Sequence, residues 1–285
     1  MQGRQNINAL RVRTEMAAQG FSFPHRVLSK RHASRLLTGL RASRTAAAST
    51  GDLGAMFGVM KPHLLFEWAD ELAHADPILN LAEAALGPKL ILWSMDVFAR
   101  GPAAATPDDM TIAPRGFEWH QDSTYSCLSP ASRVVRIWVA LTKTRPENGT
   151  LRYLPGSHLL GDLTHALAEH GADKSRGERV QIEIDEGKAV AVVLEPGECT
   201  MHDLRTVHES NINRTDRERI AVALTFASAD VRPRRPDSAL VVRGDAADCH
   251  FMLEERLRTD DGAARMSSYL RAIQTRLSAL DFTGT

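Results

Sequence analysis

Residues 117–142, FEWHQDSTYSCLSPASRVVRIWVALT, bear most directly on the fold of this chain. The stretch ends in 134–142, a run of β-branched and aromatic residues that predicts a strong β-strand. Further short strand candidates, separated by turn residues, lie at 89–100, 150–154, 180–184, 189–194, 199–203 and 219–228. Short strands with regular turns between them indicate an antiparallel barrel or sandwich.

Helical patterns lie on both sides of these strands. Apolar spacing predicts three helices before them and one helical segment after them, at 29–40, 62–75, 76–87 and 254–280. Composition predicts a mobile connection over 41–60 and an irregular segment over 232–248. We therefore expect a single domain over 1–285, with N-terminal helices in 29–87, a barrel core in 89–228 and a C-terminal helical segment in 254–280.

The composition excludes several classes of ligand. Of the 285 residues, 43% are hydrophobic and 25% charged, which is ordinary for a soluble globular domain. The 35 basic residues balance the 35 acidic ones, so no basic field is present to hold nucleic acid or an anionic membrane. We expect a small-molecule ligand, and the sequence leaves the oligomeric state open.

Three widely spaced cysteines, Cys127, Cys199 and Cys249, do not form a disulfide framework. Such a set suits a reducing cytoplasm, and each thiol is expected to act as a small buried hydrophobe. The first twenty residues contain several arginines and no apolar segment, so we expect no signal peptide. The expected location is cytoplasmic.

His120 and Asp122 form a His-x-Asp pair, and His208 and Arg219 follow far downstream. If the pair is extended, its two side chains point to the same face. A His-x-Asp pair alone arises easily by chance in a chain with eleven histidines. The order of the elements favours a metal site: a loop precedes the pair, a strong strand follows it, and the second histidine comes before a strand that begins with Arg219. Two imidazoles and one carboxylate can occupy one face of octahedral Fe(II) and leave three positions open.

These residues resemble the phytanoyl-CoA dioxygenase family, a branch of the Fe(II)/2-oxoglutarate oxygenases. The resemblance spans 61–226 and is carried by KPHLLF at 61–66, WHQD at 119–122, Trp138, ENGTLRYLPGSH at 147–158, HESNIN at 208–213 and Arg219. It implies a mainly β fold with flanking helices, a double-stranded β-helix of the jelly-roll or cupin-like kind.

The resemblance also implies the roles of individual residues. His120, Asp122 and His208 match the iron ligands. Arg219 matches the arginine that pairs with the C5 carboxylate of 2-oxoglutarate, a task that suits a planar guanidinium. Its spacing from His208 favours it over the neighbouring Arg217. The positions that line the co-substrate pocket are matched by Gln121, Trp138 and Ser210.

The implied activity is that of a dioxygenase that uses Fe(II), 2-oxoglutarate and O2. It hydroxylates an unactivated C–H bond of a small polar metabolite or biosynthetic intermediate and releases succinate and CO2. Related halogenases have a small residue in place of the carboxylate ligand, so Asp122 favours oxygenation. Where the family often has a proline after the second histidine, this chain has Asn211-Ile212-Asn213.

Alternatives remain open at this stage. The same site serves desaturation, epoxidation and ring-forming oxidation. A non-catalytic metal-binding protein of the cupin type, or a zinc hydrolase, would leave Arg219 without a role. Residues 101–116 are either a lid or a surface loop. The candidate substrate contacts are Arg100, Tyr125, His202 and Arg205.

Overall fold

Two antiparallel sheets form the body of the protein. The computed structural model describes residues 8–48, 60–102, 116–167, 178–257 and 262–279. The strands in this part of the chain are β1 (Phe21–Arg26), β2 (Leu90–Arg100), β3 (Phe117–His120), β4 (Leu128–Ser129), β5 (Val134–Ala140), β6 (Leu151–Tyr153), β7 (His165–Leu167), β8 (Glu178–Val180), β9 (Val190–Ala191), β10 (Glu198–Asp203), β11 (His208–Ser210), β12 (Arg219–Ser228), β13 (Arg232–Pro233), β14 (Ser238–Arg243) and β15 (Met252–Leu253).

The larger sheet has seven strands in the order β1-β10-β5-β12-β2-β14-β15, and the smaller has four in the order β3-β11-β6-β9. Neighbouring strands run antiparallel except β14 and β15, which run parallel. Two short pairs, β13-β4 and β7-β8, lie outside these sheets. The strands that precede and follow the His-x-Asp segment therefore belong to different sheets.

Side chains alternate along β5 between two apolar clusters, as the two-residue period of a strand requires. Ile137 and Val139 belong to the cluster on the helix-covered face of the large sheet. Trp138 and Ala140 belong to a second cluster, which also contains Tyr153 of the small sheet. The large sheet thus has an outer face against helices and an inner face against the small sheet.

The helices are α1 (Ala9–Gln19), α2 (Lys30–Ala48), α3 (Glu67–Ala73), α4 (Asp76–Leu86), α5 (Ser123–Ser126) and α6 (Gly262–Ala279). The first four cover the outer face, to which they contribute Val12, Leu36, Leu72 and Ile78 among other buried side chains. Helix α6 packs separately, against the segment that precedes α3. No helix in the described ranges is both long and apolar enough to cross a membrane.

Several predicted elements are confirmed closely. The strand predicted over 219–228 is β12, that over 89–100 is β2, and the helix predicted over 76–87 is α4. Other predictions fail at their edges. Only 178–180 and 190–191 are strands where 180–184 and 189–194 were expected, and α1 and β1 were not predicted.

Helix α2 continues to residue 48, into the segment predicted to be a mobile connection over 41–60. Serine and threonine in this segment disfavour a helix, but its alanines, the strongest helix formers, outweigh them. Arg41 and Arg44 on this extension both approach Glu218. Residues 49–59 lie outside the described part of the chain.

The segment predicted to be irregular over 232–248 contains β14, whose SALVVR sequence pairs with the inner strand β2. The short apolar run of β14 is flanked on both sides by proline, arginine and aspartate, which are typical of irregular segments. Its strand conformation depends on pairing with β2 and β15. The predicted lid falls almost entirely on residues 103–115, which lie outside the described ranges.

A buried ion pair ties the segment before α3 to the strand end at β15. Lys61, which has a left-handed backbone with φ 46°, is fully buried. Its Nζ donates to the carbonyl oxygen of Ser238 at 2.9 Å and to the Glu254 carboxylate. Nε2 of His63 lies 3.4 Å from Oε2 of the same carboxylate. The KPHLLF motif therefore has a structural role here, away from the cavity.

Candidate metal centre and co-substrate pocket

His120 and His208 face each other across the strand pair β3–β11. They are register partners, and their ring centroids are 4.3 Å apart. Nδ1 of His120 lies 2.6 Å from the carbonyl oxygen of Glu118, and Nδ1 of His208 lies 2.9 Å from that of Thr206. Because a carbonyl oxygen only accepts, each Nδ1 carries the hydrogen, and each Nε2 keeps its lone pair for a metal.

Asp122, the third candidate ligand, has a different backbone conformation from the predicted one. Strand β3 ends at His120, and Asp122 has helical angles (φ −66°, ψ −25°) at the start of α5. Its Oδ1 lies 3.7 Å from Nε2 of His120, and its Oδ2 lies 3.8 Å from Nε2 of His208. Donor atoms of the three residues all lie within 4.8 Å of one another, the spacing of a single metal site.

The protonation states of this cluster suit a metal. Burial tends to raise the pKa of Asp122, but Arg136 and His208 outweigh it and hold the pKa well below its usual value. Burial, followed by the neighbouring His120, holds the pKa of His208 well below its usual value. A charged carboxylate and a neutral imidazole are the forms that ligate metal ions.

Arg136 on β5 is a site residue that the sequence analysis missed. Its Nη1 lies 3.2 Å from Oδ1 and 3.1 Å from Oδ2 of Asp122. Its Nε donates to Oγ1 of Thr225 at 3.0 Å, and its Nη2 lies 3.6 Å from Asp96. One signal was available: Arg136 is two residues from Trp138, so both point to the inner face of the same strand.

His202, a predicted substrate contact, lies against the carboxylate of Asp122. Its Nε2 is 3.3 Å from Oδ2 of Asp122, and its Nδ1 is 2.9 Å from the hydroxyl of Tyr153. If Nε2 donates to the carboxylate, Nδ1 accepts from the phenol, which fixes the tautomer. His202 also lines the cavity.

Arg219 opens β12 and is buried, with 2% of its surface exposed. Its Cζ lies 5.1 Å from the ring centroid of Trp138, and its Nη2 donates to the carbonyl oxygen of Gly149 at 2.9 Å. Nε of Arg219 has no hydrogen-bond partner among the described residues. Burial, and then Arg100, lower its pKa well below the usual value. A carboxylate ligand fits this cation, whereas the rival Arg217 is exposed.

Arg100 and Ser210 extend the same wall. Arg100 pairs across the β2–β12 ladder with Arg219, and its Nη2 donates to Oγ of Ser210 at 3.0 Å. Its guanidinium lies 4.6 Å from the ring centroid of Phe117, and burial lowers its pKa to about 10. Polar side chains from β2, β11 and β12 thus meet at one end of the cavity.

One cavity joins the metal cluster and this arginine wall. It contains about 540 Å³ of empty space, counting its open mouth. Its aromatic and aliphatic lining consists of Phe98, Phe117, Trp138 and Leu151. Of the residues predicted for the site, it brings together His120, Asp122, His208, Arg219, Trp138, Ser210, Arg100 and His202.

Gln121 is not among the residues that line this cavity. Its Nε2 donates to the carbonyl oxygens of Gly161 at 2.9 Å and Arg205 at 2.7 Å. Its Oε1 accepts from the backbone N–H of Leu163 at 2.8 Å. The expected role in co-substrate binding is therefore replaced by a role in joining two loops behind the site.

Tyr125 and Arg205, predicted as substrate contacts, are also absent from the cavity lining. The Tyr125 hydroxyl donates to Glu178 at 2.6 Å, and the Arg205 guanidinium pairs with Asp203 at 2.7 Å. Cys199 is fully buried in the helix-side cluster, where burial raises the pKa of its thiol, so it is no ligand.

Comparison with known proteins places this geometry in a family. The family model described as Phytanoyl-CoA dioxygenase (PhyH) matches residues 18–221. The chain is 25% identical over 185 residues to the probable alpha-ketoglutarate-dependent hypophosphite dioxygenase of Stutzerimonas stutzeri. That match covers 61% of this chain and 58% of the relative, so the chain spans little more than half of that relative's length.

Solved structures match a larger share of this chain than the hypophosphite dioxygenase sequence does. The apo form of the non-heme monooxygenase ThoJ is 33% identical, with a TM-score of 0.84 over 95% of this chain and 97% of ThoJ. EvdO2 of Micromonospora carbonacea var. aurantiaca, in complex with 2-oxoglutarate, is 25% identical, with a TM-score of 0.58 over 80% and 94%. The chain therefore belongs to the phytanoyl-CoA dioxygenase family, within the Fe(II)/2-oxoglutarate-dependent oxygenases, and has their double-stranded β-helix fold.

Proposed function

We propose that this protein is an Fe(II)/2-oxoglutarate-dependent dioxygenase that hydroxylates an unactivated C–H bond of a small polar metabolite or biosynthetic intermediate. Succinate and CO2 are the co-products. One observation carries the proposal: His120, Asp122 and His208 cluster in the cavity whose wall also holds the buried Arg219. Among the described residues, that arginine has no acidic partner.

The residues present fit a ferrous ion. Two neutral Nε2 atoms and one carboxylate form the 2-His-1-carboxylate set, which leaves three positions for co-substrate and oxygen. Iron, 2-oxoglutarate and O2 together supply the oxidising power that an unactivated C–H bond requires. The chain contributes the Nδ1 hydrogen bonds that orient both imidazole rings toward the metal position.

The arginine wall fits the far carboxylate of 2-oxoglutarate. Arg219 offers a planar fork of donors, and the Trp138 ring and the Gly149 carbonyl oxygen hold the guanidinium in place. The Ser210 hydroxyl lies on the same wall and can add a further hydrogen bond. The cost of burying this cation is offset when the carboxylate arrives.

The substrate class is inferred from the remaining lining. Phe98 and Phe117 offer apolar contact, while Arg100 and His202 offer polar contact. A single cavity that must also hold the co-substrate suits a small molecule or a short segment of a larger one. The 33% identity to ThoJ, described as a monooxygenase, supports hydroxylation. The three free cysteines support a reducing, cytoplasmic location.

An anaerobic titration tests this function. Fe(II) and 2-oxoglutarate added to the protein should produce the visible charge-transfer absorbance of the chelated complex, and Asp122→Ala should abolish oxygenation. Members of a metabolite library that perturb this band are then incubated with O2. Hydroxylation predicts one mole of succinate per mole of product that is heavier by one oxygen atom. A product that has lost two hydrogens would replace hydroxylation by desaturation.

A further inference from the structure

The carboxylate of Asp122 has two partners besides the histidines that would share the metal with it. Nη1 of Arg136 straddles both oxygens, at 3.2 Å from Oδ1 and 3.1 Å from Oδ2. Nε2 of His202 approaches Oδ2 alone, at 3.3 Å. The two contacts come from neighbouring strands, β5 and β10, where the two residues are register partners.

Arg136 fixes the carboxylate by contacting both oxygens at nearly equal distances, and His202 makes the two oxygens unequal because it approaches Oδ2 alone. A carboxylate oxygen has about two lone-pair directions. Oδ2 of Asp122 faces both Arg136 and His202, so its capacity is largely taken. Oδ1 faces Arg136 alone and keeps a direction for the metal. The two histidines do not distinguish the oxygens, since Oδ1 lies 3.7 Å from Nε2 of His120 and Oδ2 lies 3.8 Å from Nε2 of His208.

The positive charge of Arg136 does not prevent a metal ion from binding beside it. A bare arginine beside a dication would repel it, but Nη2 of Arg136 lies 3.6 Å from the carboxylate of Asp96. Ser94 donates to that carboxylate at 2.9 Å and helps to hold it. The Arg136–Asp96 pair has no net charge, which reduces the repulsion between Arg136 and a metal ion, while the contact with Asp122 orients the carboxylate.

Orientation matters because the coordination positions are few. Three protein ligand atoms on Fe(II) would leave three positions for co-substrate and oxygen. A carboxylate bound through both of its oxygens would take one of these three positions. The site therefore requires Asp122 to bind through one oxygen only.

We propose that Arg136, together with His202, is a positioning residue that holds Asp122 as a one-oxygen ligand and so keeps the oxygen position open. This inference rests on the proposed function, since it requires a metal in the triad. Arg136 lines the cavity, and its contact with the metal cluster is through the carboxylate of Asp122.

Two variants and one control test the proposal. Arg136→Met removes the guanidinium at similar length, and Arg136→Lys keeps the charge with a single nitrogen. Arg133→Met is the matched control, because Arg133 adjoins the same strand and pairs at the surface with Asp230 at 3.0 Å. Co(II) affinity is measured directly on each metal-free protein. Nitric oxide, a stand-in for oxygen, is titrated anaerobically into each Fe(II)·2-oxoglutarate complex and followed by EPR.

In Arg136→Met we expect Co(II) affinity to fall roughly 10- to 100-fold, the usual cost of losing a partner of a metal ligand. The nitric oxide affinity should fall as well, because the freed Asp122 carboxylate would occupy the coordination position meant for oxygen. Arg136→Lys should recover part of both affinities. Arg133→Met should match wild type in both. If Arg136→Met does not fold, Arg136→Met/Asp96→Asn removes the whole ion pair and is measured in its place.

Wild-type nitric oxide and Co(II) affinities in the methionine variant would overturn the proposal. The proposed function fails separately, if wild-type protein shows no absorbance that depends on both Fe(II) and 2-oxoglutarate.

Discussion

Arg219 on β12 lies directly opposite Arg100 on β2, so two buried guanidinium groups share one wall of the cavity. Like charges in directly opposed positions of a sheet destabilise it. Arg100 is accordingly one of the causes that lower the pKa of Arg219. A protein keeps such an arrangement where an anion binds, and the C5 carboxylate of 2-oxoglutarate is the anion proposed here.

Arg219→Met should weaken 2-oxoglutarate binding while leaving metal binding intact. Charge-assisted hydrogen bonds contribute about 1.5–3 kcal/mol each, so the Kd should rise by roughly 10- to 150-fold. Anaerobic titration of the Fe(II) complex with 2-oxoglutarate measures this change. Arg217→Met, two residues earlier and exposed, is the control. Equal effects of the two substitutions would show that Arg219 is not the carboxylate partner.

Gly149→Ala should damage both stability and co-substrate binding. Gly149 has φ +75°, and a Cβ there would lie 2.2 Å from the carbonyl oxygen of Asn211. Its own carbonyl oxygen accepts from Arg219, so a shift of this turn displaces the guanidinium.

Gly156→Ala is a close control: Gly156 has φ +76°, and a Cβ there would lie 4.0 Å from the carbonyl oxygen of Ala18. It should cost only about 1 kcal/mol, the usual penalty of left-handed backbone. Thermal unfolding and the 2-oxoglutarate Kd should both change more in Gly149→Ala. If the two variants behave alike, backbone conformation rather than the close approach decides the effect.

Gln121→Ala separates a structural role from a role in binding 2-oxoglutarate. The substitution deprives Gly161, Leu163 and Arg205 of side-chain hydrogen bonds to their backbone groups. A buried polar group left without a partner costs about 1–3 kcal/mol. The free energy of unfolding should fall by at least that amount, measured in urea, while the 2-oxoglutarate Kd of the folded protein stays unchanged. A large rise in Kd without loss of stability would restore the family role.

Lys61→Met should be among the most destabilising single substitutions outside the cavity. Removing one member of a buried ion pair costs about 3–5 kcal/mol, because the other charge stays buried alone. Lys61→Met/Glu254→Leu should recover much of the loss. Chemical denaturation of the two single variants and the double variant gives the coupling energy. Additive losses would show that the pair does not act as a unit.

The Lys61–Glu254 pair should make the free energy of unfolding depend on pH in the acid range. Burial raises the pKa of Glu254, but Lys61 and His63 outweigh it and lower the pKa to about 2 from an ordinary 4.5. The contribution of this carboxylate is therefore complete above about pH 4.5 and is lost as the pH falls toward 2. The unfolding free energy of wild type should decline across that window, and Glu254→Gln should show a shallower decline. An unchanged slope would assign acid sensitivity to other carboxylates.

Patterns that are local in sequence allowed the main features to be predicted. The β-branched run of β5, the proline that opens α4 and the order of the two histidines and Arg219 all lie in short stretches. What depends on pairing at long range was missed. Strand β14 is stable because it adds to β2, and Arg136 reaches Asp122 because β5 lies beside both β10 and β12.

For two site residues, Asp122 and Gln121, the spacing in the sequence motif did not predict where the side chain lies. Asp122 was expected on an extended strand, yet the chain turns into α5 directly after His120, and the carboxylate reaches the metal cluster from a helical residue. Gln121, between the two ligands, turns away and bonds to the backbone of two loops. Residue spacing alone could not distinguish these conformations.

Phe98 on β2 and Phe117 on β3 meet edge to face in the lining of the cavity, with ring centroids 6.1 Å apart. The two rings come from different sheets, and neither belongs to the main hydrophobic core, although Phe98 packs against the second apolar cluster. An exchange of either ring would reshape the cavity while leaving the main core intact, so we expect substrate preference to change most readily at these two positions, with His120, Asp122, His208 and Arg219 unaltered.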